Sequence, residues 1–258
     1  MNAVLEVNNL CKTYIVNKAQ NHVLRNISFS LEQGEFVSVM GPSGSGKSTL
    51  LYTVSGMDRL TAGEVIFDRQ NLSGLSDKEM AEIRLQRMGF IFQQMVMLGN
   101  LSVYDNIILA GYQSLQHKGN TRTRSQVNEH ADRLMRKLNI MDLAGHDITE
   151  VSGGQLQRAC ICRSLINEPK MLFADEPTGA LNSQAAKEVL EELNRINREG
   201  TSIMMVTHDV KVAAQTDKVL YMLDGNIQGE FYLGKYNGEA ELRERERRLN
   251  EWLMAMGW

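Results

Sequence analysis

The chain has 258 residues, of which 43% are apolar and 23% charged, with a formal net charge of −3. That length holds one large domain or two small ones with a real core, and the mildly acidic balance argues against a protein whose main partner is a nucleic-acid backbone, though a local basic patch is still open. No apolar run approaches the ~18 residues that cross a bilayer, and the N-terminus lacks a signal pattern. Three cysteines are too few, and of the wrong parity, for a disulfide framework, so a cytoplasmic protein is expected.

The first thirty residues predict strands, "VLEV" and then "HVLRNISFSLEQGE", with a turn at Gly34. The apolar "FVSVM" predicts a short strand that runs straight into "GPSGSGKST", with the helical "LLYTVSG" behind it, and "GEVIFD" predicts another strand. Ser76 and Glu79 form a capping box ahead of a helix carrying Met80, Ile83 and Leu85, and "MGFIFQ" follows as a strand. From about residue 95 to 167 the pattern is helical, with Val127, Ala131, Leu134 and Leu138 in one stripe. Cys160 and Cys162 lie there, two apart in a predicted helix, and read as small core residues rather than ligands. Alternation then returns: strand "MLFADEP", a helix from Asn182 to Glu199 closed by Gly200, strand "SIMMVTH", a short helix and strand "VLYML". This order predicts an α/β fold with a mostly parallel sheet covered on both faces, the helical stretch being an insertion and not a separate domain. The tail places Leu242, Leu249, Trp252, Leu253 and Met256 along one helical side. Its mixed charge speaks against a helix lying on a membrane, leaving one docked on its own domain or on a partner.

Chemistry concentrates at strand ends. Gly41, Pro42, Ser43, Gly44, Ser45, Gly46, Lys47, Ser48 and Thr49 fit a phosphate-cradling loop between strand and helix. Glycines let successive backbone N–H groups point inward, and the following helix presents its positive N-terminus. Lys47 would bridge the β- and γ-phosphates, and the Ser48 hydroxyl would enter a Mg²⁺ shell. Asp175 and Glu176 end an apolar strand, where open α/β sheets bind ligands. Asp175 would hold Mg²⁺ through water, and Glu176 would polarise the attacking water. His208 and Gln93 leave neighbouring predicted strands, the first able to touch the γ-phosphate or the water, the second to reach metal or water through its carbonyl oxygen.

"GPSGSGKST", Gln93, "SGGQLQR", "LFADEP" and "VTH", in that order and spacing, resemble the ATP-binding-cassette ATPases over about residues 3 to 230. The resemblance implies a P-loop NTPase with a RecA-like core, an antiparallel β-subdomain and an inserted α-helical subdomain at about 95–167 carrying the Ser-Gly-Gly signature. The cassette would then span 1–230 and a C-terminal helical extension 231–258. It further implies ATP and Mg²⁺ as cofactors, with Ser48, Gln93 and Asp175 at the metal and Glu176 and His208 as catalytic residues. Tyr14 in "CKTY" matches an aromatic that stacks on adenine; the other reading is a strand tyrosine packing locally. Ser152, Gly153, Gly154 and Gln155 match the signature that meets ATP held by a second copy, in a head-to-tail dimer.

Three departures stand out: Val151 for the usual Leu, "CICRSL" for an alanine-rich helix, and Asn182 where an Asp usually reaches across the dimer. Asn182 keeps a carbonyl that can cap the next helix but loses the charge. One cradle and one signature speak against ribosome-acting relatives, short helices against the DNA-repair type, and an intact Glu176 and His208 against an inactive scaffold. A transporter subunit remains, peripheral to the cytoplasmic face of the membrane, with its permease a separate chain and no nucleic-acid partner. "MVMLGNLSVYDNI" is the expected permease contact, although the same residues also serve to pack the helical subdomain. "GFIFQQ", "ADEPTGALN" and the tail resemble the macrolide-export and lipoprotein-release branch, and within it the bacitracin- and lantibiotic-resistance (Bce-type) group, whose large permease communicates with a sensor kinase. The alternative is a transport ATPase of the macrolide-export or lipoprotein-release type, with a soluble non-transport cassette behind it.

Overall fold

The computed structural model describes residues 3–117 and 119–258; Met1 and Asn2, at the start of the expected 1–230 cassette, lie outside the described residues. The chain forms two compact units, one of Met1–Met80 with Ile196–Trp258, the other of Ala81–Arg195. In chain order the elements begin with β1 (Ala3–Val16), β2 (Ala19–Glu32), β3 (Phe36–Met40), α1 (Lys47–Val54), β4 (Ala62–Phe67), β5 (Gln70–Asn71) and α2 (Asp77–Arg87). The middle of the chain supplies β6 (Met88–Phe92), α3 (Val103–Ser114), α4 (Arg124–Lys137), α5 (Gly153–Leu165), β7 (Met171–Asp175) and α6 (Ser183–Arg198). The last stretch gives β8 (Ser202–Val206), α7 (Val210–Ala213), β9 (Lys218–Leu223), β10 (Asn226–Tyr232) and α8 (Leu242–Ala255).

In the first unit β2, β1, β4 and β5 form an antiparallel sheet in that order. Asn17-Lys18 and Asp68-Arg69 each join two strands with both turn residues at positive φ, the two-residue hairpin whose twist matches that of its strands. A second sheet contains β10, β9, β3 and β8, with β3 parallel to β8 and β9. All five residues of β3 and of β8 are buried, as expected of parallel strands covered on both faces. Strand β10, unmarked by its weakly apolar sequence, pairs antiparallel with β9.

The second unit holds the parallel pair β6–β7, whose Phe90 and Phe173 rings stack at 5.7 Å, together with α3, α4 and α5. The expected stripe is buried in full: Val127, Ala131, Leu134 and Leu138 all lie in the core. Helix α3 approaches closely, since a Cβ on Gly111 would stand 2.5 Å from Val127 Cγ1. Cys160 and Cys162 are buried as the helix reading required, and burial pushes the Cys160 thiol up to about 11. The Ser76–Glu79 capping box also forms, with Glu79 Oε2 accepting from Ser76 N at 2.8 Å.

The tail docks within its own unit. Leu249 and Leu253 of α8 are fully buried with Met40, Ala213, Ala214, Val219, Tyr221 and Leu233, and Trp252 stacks on Phe231 at 5.1 Å. Arg245 is only 4% exposed. It donates to the backbone oxygens of Ala214 (2.7 Å), Thr216 (2.8 Å), Gly234 (2.9 Å), Leu233 (3.1 Å) and Lys235 (3.3 Å). A buried cation is tolerable only with its donors satisfied, and here the satisfaction is what fastens α8. Arg245→Met should therefore lower unfolding free energy by about 3 kcal/mol, read as a fall in thermal midpoint, whereas Arg243→Met on the same helix should leave the midpoint nearly unchanged.

Candidate functional site

The loop from Gly41 to Gly46 joins the buried strand β3 to α1. Its glycines are set by close approach. A Cβ on Gly41 would stand 2.2 Å from Met222 O and 2.7 Å from Ser45 Oγ, and one on Gly46 would stand 3.1 Å from Leu24 Cδ2. Gly44 and Gly46 also carry φ of +81° and +100°, a backbone region costly to any side chain. Pro42, Ser43 and Gly44 are exposed. Ser45 N donates to Pro42 O (3.2 Å) within the loop, and support from outside comes from Gly225 N donating to Ser45 O (3.1 Å) and Arg25 N to Gly225 O (2.9 Å). Lys47 is 9% exposed, its ammonium donating to Gly41 O at 2.8 Å and Pro42 O at 2.9 Å.

This loop fits a polyphosphate. The N-cap of α1 is Gly46, which has no side chain to cap the helix, and its first turn carries no acid, so its positive end is left for an anion. Ser45 Oγ is buried without a hydrogen-bond partner in the fold. Ser48 and Thr49 lie in the first turn of α1, both half-buried. Tyr14, on β1, is 36% exposed, and its phenol donates to Asp58 Oδ2 at 2.5 Å. His208 is exposed just beyond β8, between Thr207, whose N–H donates to Val39 O at 3.2 Å, and Asp209, which caps α7 through Lys211 N at 2.8 Å.

In the second unit Asp175 ends β7 and is buried. Glu176 follows with φ of +46°, a left-handed backbone that costs a non-glycine residue about 1–2 kcal/mol and persists only where the surroundings hold it. Part of that hold is the turn in which Gly179 N donates to Glu176 O at 3.0 Å. A Cβ on Gly179 would stand 2.9 Å from Gln93 Nε2 and 3.2 Å from Glu176 Oε2. A methyl group at position 179 would therefore crowd both of these side-chain ends. Gln157, buried on α5, donates to Pro177 O at 2.8 Å and ties the same turn to the helix. Gly179 and Gln157 were not singled out from the sequence. The only trace of Gln157 there is a polar residue on an otherwise apolar helix face.

Ser152 and Gly153 are exposed at the start of α5. Ser152 and Gln155 form a capping box, Gln155 Oε1 accepting from Ser152 N at 2.8 Å, so the Gln155 side chain has a structural task in its own helix. Gly154 packs on α6, where a Cβ would stand 2.8 Å from Ala185 Cβ. Asn182 caps α6, its Oδ1 accepting from Ala185 N at 2.9 Å, as its retained carbonyl predicted.

Ser48, Gln93 and Asp175 offer the oxygen donors that suit Mg²⁺. Among the described residues no group of three or more His, Cys, Asp or Glu side chains is placed to hold a metal. Mg²⁺ commonly takes most of its oxygens from phosphate and water rather than from side chains.

Comparison with known proteins gives a consistent picture. The family described as "ABC transporter" matches residues 24–179. The uncharacterized ABC transporter ATP-binding protein YknY of Bacillus subtilis (strain 168) is 38% identical over 224 residues, covering 87% of this chain and 95% of YknY. Among solved structures, a dimeric post-hydrolysis state of the cassette MJ0796 bound to ADP and Pi superposes with a TM-score of 0.80 at 33% identity, over 89% of this chain and 98% of that one. CbiO1 of Clostridium perfringens, part of the ABC transporter complex cbiONQ, gives a TM-score of 0.79 at 25% identity, over 100% and 98% of the two chains.

Gly179→Ala tests whether the space beside Gln93 and Glu176 is needed. The crowded atom is the end of a flexible side chain, so the fold should tolerate the methyl group and the thermal midpoint should stay within about 2 °C. ATP turnover should fall by about tenfold or more as Gln93 is displaced; unchanged turnover would remove Gly179 from the site.

Proposed function

Because this chain belongs to the ABC transporter family, as an ATP-binding and ATP-hydrolysing cassette, we propose that its hydrolysis powers a separate membrane permease in antimicrobial-peptide resistance or sensing of the bacitracin and lantibiotic kind. The observation that carries the enzymatic part is the phosphate loop: three glycines required by contact or backbone, an uncapped helix N-terminus and a buried lysine already on loop carbonyls. On this reading Lys47 exchanges the carbonyls of Gly41 and Pro42 for phosphate oxygens when ATP enters, so its charge never loses partners. Ser48, Asp175 and Gln93 are the residues that would hold Mg²⁺, whose chemistry there would be to neutralise developing phosphate charge. Glu176 orients and polarises the attacking water, and His208 contacts the γ-phosphate. The Tyr14 ring takes the adenine.

The dimer belongs to the same proposal. MJ0796 is known as an ADP- and Pi-bound dimer, and here Ser152 and Gly153 offer hydroxyl and backbone donors at an exposed helix start. Such donors suit a phosphate brought by a second copy of this chain, with no base needed on that side.

For the permease, the supporting feature is the loop before α3. Val96 is 61% and Leu98 49% exposed, while Val103 and Ile107 of the same stretch are buried. The loop is shaped from within: buried Asn106 bonds both Leu98 N (2.8 Å) and Leu98 O (3.1 Å), and Arg163 donates to Val96 O at 2.6 Å. A rigid loop presenting apolar tips suits a helical segment of the permease. No helix among the described residues is long and apolar enough to cross a membrane, and the proposal places this chain peripherally on the cytoplasmic face. The permease would relay to a sensor kinase.

Glu176→Gln should cut steady-state ATP turnover by ~10²–10³ while retaining ATP binding; near-normal turnover would strip Glu176 of its role. Val96→Asp with Leu98→Asp should reduce co-purification with the permease at least about tenfold, a buried carboxylate being costly at such an interface, while the isolated cassette still binds ATP. Loss of the gene should sensitise cells to bacitracin or lantibiotics. Sensitivity gained only to macrolides, or a defect only in lipoprotein release, would overturn the substrate class and leave the cassette assignment standing.

A further inference from the structure

Lys12 lies two residues before Tyr14 on β1 and is 7% exposed. A strand position that only fills space takes an apolar residue, since burying an ammonium is costly unless it is fully partnered. Lys12 is partnered: its Nζ donates to Asp58 Oδ1 and to Arg59 O, both at 2.6 Å. The same ammonium stands 4.6 Å from the centroid of the Tyr14 ring. The other oxygen of that carboxylate, Asp58 Oδ2, accepts from the Tyr14 phenol at 2.5 Å. One carboxylate therefore bridges the cation under the ring and the hydroxyl at its edge.

The arrangement fixes the ring at two points. One point is its edge, where the phenol meets Asp58, and the other its face, against the Lys12 ammonium. Burial, and then Asp58 beside it, raise the phenol's pKa, so it remains a donor at neutral pH. Burial works against the Asp58 charge, but hydrogen bonds from Lys12 and Tyr14 hold its carboxyl below the usual range. A cation on one ring face draws electron density toward itself and leaves the opposite face less negative. That face then receives the π-cloud of a base with less repulsion than a bare tyrosine would offer.

We propose that Lys12 is a specificity-determining, positioning residue of this cassette: held by Asp58 and Arg59 O, it backs the Tyr14 ring and makes it a one-sided platform that favours a triphosphate carrying an aromatic base over one without. This rests on the reading of Tyr14 as the surface that takes adenine. Lys12 touches neither phosphate nor water; its effect passes through the ring.

The test uses the full-length protein, with ATP as substrate and inorganic tripolyphosphate as the base-less competitor. Lys12→Met should raise KM for ATP about three- to fivefold, the size of a partly exposed cation–π contact. It should leave kcat within about twofold and tripolyphosphate inhibition unchanged. Lys12→Arg should restore ATP binding. If Lys12→Met does not fold, Lys12→Gln reads the same loss of charge. Equal weakening of ATP and tripolyphosphate, or no weakening of ATP, overturns the proposal. Tyr14→Ala separates it from its premise. If that variant loses about tenfold in ATP affinity but not in tripolyphosphate affinity while Lys12→Met loses nothing, only the role of Lys12 fails. If Tyr14→Ala leaves the ratio unchanged, the adenine reading fails and the proposal with it.

Discussion

A loop that presents most of its backbone N–H groups to a ligand has few left with which to hold itself together. Its shape must come from neighbours that press against it, and those contacts leave no room for side chains. This constraint organises the first unit. Gly41 is forced by Met222 O and Gly46 by Leu24, so β9 and β2 close on the loop from their own sheets. Gly225, in the turn between β9 and β10, is itself forced, since a Cβ there would stand 2.3 Å from Val23 O. It then donates to Ser45 O. The support extends outward to α8. Tyr221, the residue before Met222, packs edge-on against Trp252 at 6.3 Å and Trp258 at 6.0 Å, and Met40, the residue before Gly41, shares a core with Leu249 and Leu253. The C-terminal helix thus stands behind the strand ends that shape the cradle.

The second unit meets the same problem with different means. Its chemistry-bearing residues leave strand ends in loops, and polar side chains moor those loops to helices. Gln157 moors the turn after Glu176, Asn106 and Arg163 shape the loop after Gln93, and Gln155 closes the helix start that begins with Ser152. Each uses backbone groups that would otherwise lie unpaired near the core. The strained backbone at Glu176 is affordable because this mooring is dense.

Sequence reasoning reached what is written in local spacing. The phosphate loop is legible because strand, glycines, lysine and helix follow one another, and the stripe from Val127 to Leu138 because helical period marks a buried face. The cap by Asn182 was legible for the same reason. Contacts closed over long intervals were not. Lys12 meets Asp58 forty-six residues away, and nothing near either residue announces it. Arg245 sits in a run of alternating charges that reads as a solvated helix face, yet its acceptors lie up to thirty-one residues upstream. Gly179 carries no local signal, because Gln93, whose side chain a methyl group there would crowd most, lies far upstream in the sequence. Strand β10 was missed since an edge strand with one exposed face needs no apolar run. At Gln155 the same four residues satisfy both the family signature and the capping-box spacing, and the capping box is the role formed within the chain.

The two tasks of the signature are compatible, and the capping box shows why. Gln155 supplies the acceptor for Ser152 N, which leaves the remaining N–H groups of the first turn aligned along the helix axis. The Ser152 hydroxyl accepts from Gln155 N at a long 3.4 Å while keeping a proton to donate. A cap made by Asp in place of Ser152 would hold the helix as well, but it would put a negative charge where the proposed partner is a phosphate. Serine is the cap that preserves the helix and still welcomes an anion. On the proposed reading, the residue pair that stabilises α5 in one subunit is also what keeps its start receptive to the nucleotide of the other.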